Sequence, residues 1–427
     1  MDPAELTVVG ARAAIGAGAL SPVELLESVL DRVRARNDEF HAYLLVDEDG
    51  ARAAAREAEA AARAGDDRPL LGIPMCIKDV IDVAGLPTTA GAAHWRRHPA
   101  VDAVAAARLR AAGAVFVGKG NTNEFAYGID GRNPHYGDVP NPVDASRLSG
   151  GSSSGPAAAV ATGMALAGLG TDTTGSLRVP AGLCGLIGLR PTLGAIPSDG
   201  MVPLAWSYDV VGPLTRTVED AALLWRVLVG DETASGDARL PRVGVLEQLI
   251  AGATPPIAEG VRHVAVALDA EQVELDRLGS TAALHNLVQM SEASTFHDPW
   301  FEEEREHYSE VVRERLEVGR TIPAIHYLRA QQARRLFVEE WEQTMEDEGL
   351  TALLAPTTLD VAPKPAGNQN AQRQALLTAV RPLSQTGGPV ISVPAGTGED
   401  GLPFGVQLAG RRGDEAALLQ LAASLVP

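Results

Sequence analysis

Three short stretches of this 427-residue chain hold residues whose types can do covalent chemistry. Lys78 is the odd charge in the apolar run GIPMCIKDV. Ser152, Ser153 and Ser154 stand between glycines in GGSSSG (150–155). Ser176 follows Gly175 in TDTTGSLRVPAG (171–182). A serine hydroxyl is a poor nucleophile until a neighbouring base takes its proton. Lysine can be that base only when held neutral. Against an ordinary value of ~10.4, neutrality near pH 7 costs roughly 4 to 5 kcal/mol, which burial can supply. The alternative for Lys78 is a strand-end side chain whose amine reaches water. The amides of Thr173, Thr174, Gly175 and Ser176 can converge in one turn, as a developing oxyanion requires. Asp172 and Arg178 bracket that turn and read as a pair holding the loop.

Other readings of these stretches fail on context. A Gly/Ser linker would lead into a change of composition, but GGSSSG runs straight into PAAAVATG, which reads as a capped helix start. Ser153 fits the G-x-S-x-G nucleophile elbow, which needs a strand directly before it. The residues before it, NPHYGDVPNPVDASRLS, read as loop. GAVFVGKG (113–120) lacks the Ser or Thr of a phosphate-binding loop and is filled by β-branched and aromatic residues. His94 and His98 are four apart without the glutamate of a zinc helix, and the other histidines are scattered, so no metal site is expected.

The flanking elements follow from periodicity and caps. SPVELLESVLDRVRAR (21–36) has Ser21, Pro22 and Glu24 in capping-box positions and predicts a helix. AYLLVD predicts a strand and GARAAAREAEAAARAG a solvent-facing helix. PMCIK predicts a buried strand, and DAVAAARLRAAGAVFVG a helix followed by a strand. Residues 128–155, rich in Gly, Asn, Pro, Asp and Ser, predict a long loop of the kind that carries function. GLCGLIGLRPT reads as a turn-rich apolar stretch. VRHVAVALDAEQVELDRL, TAALHNLVQMSEAS and EEEREHYSEVVRERLEVG predict longer, more charged helices within 231–340, a helical insertion on the main fold. TALLAPT, VISVPAG and FGVQLAG return to strand character. Alternating strands and helices give an α/β class.

Composition bounds the remaining possibilities. A net charge of −19 disfavours direct contact with nucleic acid. Two distant cysteines, Cys76 and Cys184, read as reduced thiols of a cytoplasmic protein. The N-terminal residues lack a basic segment followed by an apolar core, and no apolar run is long enough to span a bilayer.

Lys78, GGSSSG and TDTTGSLRVPAGLCG occur together and in that order. The combination resembles the amidase signature family, whose core reads roughly GGSSGG, then GTDTGGSxRxPA, then CGxxGxKPT. This chain has GTDTTGSLRVPA and CGLIGLRPT, continues with DVVGPLTRTVEDAALL (209–224), and ends in GLPFGVQLAGRRGDEAALLQLA (401–422). The likeness covers 65–230 and 350–425. It implies a single amidase domain over 1–427, with a large mixed β-sheet covered by helices on both faces and a substrate-shaping insertion at about 231–340.

The resemblance also implies a Ser–Ser–Lys mechanism without metal or cofactor. In it Ser176 attacks, Ser152 relays the proton and follows a cis peptide, and Lys78 is the base. The amides of Thr173, Thr174, Gly175 and Ser176 form the oxyanion hole, and Ser153 supports the serine loop. Tyr127 and Arg334 are the implied substrate-binding residues; Arg334 either reaches an anionic substrate or is a solvated helix arginine. Thr174, in place of a usual glycine, narrows the site, and Gly388 widens one side of it. The expected activity is hydrolysis of a carbon–nitrogen bond other than a peptide bond, in a small carboxamide or urea-like molecule, through an acyl-enzyme. The alternative is one chain of a multi-subunit, tRNA-dependent amidotransferase, the chain that releases ammonia from glutamine. A homodimer and a small partner subunit both stay open.

Overall fold

The computed structural model describes residues 2–230, 242–398 and 400–426. Residues 231–241, the first part of the helical segment expected at 231–340, lie outside the described residues.

Among the described residues, eleven strands form one mixed sheet: β1 (Tyr43–Val46), β2 (Pro74–Lys78), β3 (Val115–Gly120), β4 (Ala167–Asp172), β5 (Ile187–Arg190), β6 (Val210–Thr215), β7 (Val243–Val245), β8 (Glu271–Gln272), β9 (Ala352–Pro356), β10 (Val390–Thr397) and β11 (Pro403–Ala409). Their spatial order is β1-β3-β2-β4-β6-β5-β10-β11-β9-β7-β8. β2 runs parallel to both β3 and β4, whereas β4, β6, β5, β10, β11 and β9 pair antiparallel in sequence along the sheet.

Side chains alternate across a strand, and here the alternation separates two cores. Leu354, Ile391, Val393, Val406 and Leu408 pack with Ile257 and Val261 on one face. Their neighbours Leu353, Ala355, Val390 and Ala409 pack with Phe337, Trp341 and Met345 on the other. Helices therefore cover both faces of an α/β sheet. No helix among the described residues is long and apolar enough to cross a membrane.

Most local expectations hold. Ser21 and Glu24 form the complete capping box of a helix over Pro22–Phe40, a pattern in which each such cap contributes about 1 kcal/mol. The helix Glu48–Arg63 and the strands β1, β2 and β3 stand where the patterns put them. The loop up to the buried helix Ser154–Ala161 contains no strand, only a bridge between Pro140 and Leu148.

Several elements differ. VRHVAVALDAEQVELDRL is helical only to Ala267, after which the chain turns into β8. EEEREHYSEVVRERLEVG divides into Phe301–Glu304, a 3-10 turn and the helix Glu310–Arg320. GLCGLIGLRPT is the end of a helix, Arg178–Cys184, and all of β5. Its glycines hide the strand pattern because they carry no side chain to alternate.

Candidate active site

The parallel strands β2 and β4 end side by side. Ile77 pairs with Leu169, so the next residue, Lys78, closes β2 beside the last turn of β4. Ligand sites form outside the carboxyl ends of parallel strands, and here β4 runs from Asp172 directly into Thr173–Ser176. Lys78 is fully buried, as are Ser152 and Ser153, and Ser176 is nearly so. The Lys78 Nζ donates to Ser152 Oγ at 2.8 Å and to Thr171 Oγ1 at 2.7 Å. No carboxylate among the described residues lies within ion-pairing distance of it. Burial therefore dominates and pushes its pKa down to about 7, against the opposing pull of Asp172 and Asp209. The neighbouring buried lysine differs: Lys119 is paired with Asp79 at 2.8 Å. The surroundings of Lys78 suit a neutral amine, and no carboxylate stands beside it as Asp79 stands beside Lys119.

The serine loop and the Ser176 loop are tied together through Ser153. Its amide donates to the Ser176 carbonyl at 3.1 Å, and its hydroxyl donates to Thr171 O at 3.1 Å while accepting from Thr171 N at 3.3 Å. The expected side-chain cap of the following helix is therefore absent. The Ser153 hydroxyl is engaged by β4 instead, which fixes the loop bearing Ser152 against the strand that leads to Ser176. The Gly151–Ser152 peptide is cis.

Asp172 anchors the base of the Ser176 loop. Burial alone would raise its pKa, but the guanidinium groups of Arg178 and Arg190 hold it well below the usual carboxylate range. Arg178 meets it through Nε at 3.0 Å and Nη2 at 3.1 Å, and Arg190 Nη1 lies at 3.1 Å. The second oxygen also accepts the Leu177 amide at 3.2 Å. Arg178 continues to Ser384 Oγ and Gln407 Oε1, so one carboxylate locks the loop to β11 and the helix Val380–Gln385.

Past Asp172, the amides of Thr173, Thr174, Gly175 and Ser176 have no protein acceptor among the described residues. Their side chains do have partners. Thr173 Oγ1 donates to Asp209 at 2.5 Å. Thr174 Oγ1 meets His285 Nε2 at 2.6 Å, while His285 Nδ1 lies 3.3 Å from the Gln385 amide nitrogen. With Gln385 as donor, the Nε2 proton of His285 points to Thr174. Burial keeps this imidazole neutral, far below its ordinary pKa. Gly175 has φ +143°, and a Cβ there would sit 2.7 Å from Val380 Cγ2. The neighbour that requires glycine at 175 is thus Val380.

Ser176 and Thr174 open into a cleft lined also by Tyr127, Gly128, Gln289, Arg315 and Arg373. It continues outward along Tyr127, Arg315 and Arg373 into a larger groove beside Asp130 and Glu314. Tyr127 stands in the cleft wall. Arg334 does not line it: Nε donates to Gln385 O at 3.1 Å, Nη2 donates to Ser207 O at 3.0 Å, and the plane stacks 4.1 Å from the Tyr208 ring centre. Gly388 does not widen the cleft either. A Cβ there would lie 2.4 Å from Gly410 O, so the residue is small because two backbones meet. Thr171, His285, Asp209, Gln289, Arg315 and Arg373 were not singled out from the sequence. Only Thr171 and Asp209 lie inside the motif stretches; the others carry no local signal and come from helices far along the chain.

Residues 24–419 match the amidase family profile. The glutamyl-tRNA(Gln) amidotransferase A chain of Roseiflexus castenholzii is 38% identical, over 98% of this chain and 94% of the relative. An amidase of known structure superposes with a TM-score of 0.91 at 34% identity, covering 98% of each chain. A chain solved with inhibitor, in a vestigial protein complex that bears on the origins of an s-triazine catabolic enzyme, superposes at 0.93 with 32% identity, covering 99% of this chain and 98% of that one. Sequence profile, whole-chain similarity and backbone agree, and the chain is a member of the amidase signature family.

Proposed function

We propose that this chain hydrolyses the amide bond of a small carboxamide or urea-like molecule through a Ser–Ser–Lys acyl-enzyme. The observation that carries the proposal is the unpaired, buried amine of Lys78, 2.8 Å from Ser152 Oγ, with Ser153 bonding that serine's loop to Ser176. Neutral Lys78 takes the Ser152 proton as Ser152 takes the proton of Ser176. The Ser176 oxygen bonds to the amide carbonyl carbon. The oxyanion so formed is held by the amides of Thr173, Thr174, Gly175 and Ser176, which are free to donate. Collapse breaks the carbon–nitrogen bond, and the leaving amine receives the proton through Ser152 from Lys78. Water then repeats the sequence on the acyl-enzyme, releasing the acid and restoring Ser176. In this reading Asp172 and Arg178 position the loop, and the helical part of 231–340 shapes the substrate side; Gln289 and Arg315 come from it.

A fluorophosphonate probe tests the nucleophile. Labelling of the wild-type chain that disappears in Ser176→Ala supports the proposal; labelling that survives the substitution defeats it. Ammonia release across primary amides, ureas and acyl amino acids then identifies the substrate class.

The whole-length similarity to the amidotransferase chain favours a second reading, release of ammonia from glutamine within a complex. It requires glutaminase activity that depends on a co-purifying partner protein. Full turnover of simple amides by the isolated chain argues for the first.

A further inference from the structure

Arg315, Arg373 and Arg381 come from three different helices, Glu310–Arg320, Gln369–Leu377 and Val380–Gln385. Arg315 and Arg373 line the cleft that holds Ser176, and Arg381 stands close enough to both to repel them. None has a carboxylate within ion-pairing distance among the described residues. Among the described residues Arg315 donates only to the Tyr127 carbonyl, and it lies 5.2 Å from that ring. Arg373 makes no hydrogen bond to the described residues. Arg381 is 2% exposed, and its buried Nε has no partner among them. Tyr127, 3% exposed in the cleft wall, likewise has a buried hydroxyl without one. Asp130, which borders the outer groove, is already held by Arg132 at 3.1 Å and by the Asn123 amide at 2.9 Å.

Buried charges are normally paired. Burial and mutual repulsion push Arg373 and Arg381 down to about 10, so the cluster is short of negative charge. This occurs in a chain whose net charge is −19, where acidic partners are plentiful elsewhere. Among the described residues, the only acceptor for these three planar forks of donors and the phenol is the Tyr127 carbonyl, which takes a bond from Arg315. A planar forked acceptor matches that set.

We propose that the amide substrate carries a carboxylate, bound by Arg315, Arg373 and Arg381 together with the Tyr127 hydroxyl. The inference rests on the hydrolase reading of Ser176 and names its substrate class: a monoamide of a small dicarboxylic acid or a similar anionic amide.

Succinamate and butyramide have the same chain length and differ in a carboxylate against a methyl group. The wild-type enzyme hydrolyses succinamate with the higher kcat/KM. Arg373→Gln and Arg381→Gln each lower the succinamate-to-butyramide ratio by about 10–100-fold, the range for losing one charge-assisted hydrogen-bonding partner. Arg373→Lys recovers part of that loss. A second readout needs no turnover: malonate, succinate or glutarate slows fluorophosphonate labelling of Ser176 at a concentration at least about tenfold below that of butyramide, and Arg373→Gln closes the gap. Labelling that proceeds normally but is no more sensitive to any of these dicarboxylates than to butyramide overturns the carboxylate site and leaves the hydrolase intact. Labelling that Ser176→Ala does not abolish overturns the hydrolase reading itself.

Discussion

Replacing Lys78 by methionine separates the two consequences of burying an amine. The amine titrates at about 7 in the folded protein against an ordinary 10.5. Each unit corresponds to about 1.36 kcal/mol, so burial with the proton attached costs on the order of 5 kcal/mol below pH 7. The sign follows from proton binding. Between about pH 7 and 10.5 the unfolded chain holds a proton on Lys78 that the folded chain has lost, so stability rises with pH across that window.

Methionine fills a similar volume and does not titrate. It removes the bonds to Ser152 and Thr171, a loss of roughly 1 kcal/mol each that is nearly independent of pH. Urea unfolding of wild-type protein and Lys78→Met at pH 7, 8 and 9 gives the difference directly, since every other titrating group cancels. The wild-type chain gains about 2–3 kcal/mol on the variant from pH 7 to pH 9. Amide turnover in the variant falls by about 10²–10⁴-fold, the usual contribution of a general base, and wild-type kcat/KM climbs through about pH 7. Two stability curves that stay parallel across this range would show that Lys78 titrates normally, and the base assignment would fall with them.

Other substitutions probe the surrounding frame. Asp172→Asn leaves Arg178 and Arg190 buried without a counter-charge and lowers stability by about 3–5 kcal/mol, read as a shift of the urea midpoint; an unchanged midpoint would refute the anchoring role. Gly175→Ala drives a methyl into Val380 and forces φ +143° on an alanine. It is expected to reduce fluorophosphonate labelling of Ser176 well beyond any loss of stability, and normal labelling would contradict that. Ser153→Ala removes the link between the serine loop and β4. Turnover drops while the overall fold persists, checked by kcat against the circular dichroism spectrum. Arg334→Gln, by contrast, cuts two bonds to backbone carbonyls; it lowers the melting temperature and affects anionic and neutral amides alike.

Much of the site could be read from the chain because its chemistry is local. Lys78 is conspicuous as a charge in an apolar strand. The turn from Thr173 to Ser176 and its flanking Asp172 and Arg178 sit within a few residues of one another, so their contacts follow from short-range geometry. The same holds for the Ser21 capping box and for β1, β2 and β3, whose patterns are complete over one element. β5 was hidden because its glycines erase alternation. The helix expected to continue through Glu271 and Gln272 stopped early because that segment serves as an edge strand beside β7.

What could not be read is the orientation of long side chains on helices remote in sequence. Arg334 and Arg315 look equivalent in the chain: each is an arginine on a charged helix. Packing turns Arg334 onto Tyr208 and two carbonyls, and leaves Arg315 beside Arg373 and Arg381 at the cleft. The lowered pKa of Lys78 has the same origin, since it depends on how much water is excluded and on how far Asp172 and Asp209 stand from Nζ. Residue types, and the order of three motifs that resemble the family's, point to candidate reacting groups because each motif is local to its own segment. Burial and the meeting of distant helices set their protonation and the charge of the cleft, because both depend on the whole surrounding volume.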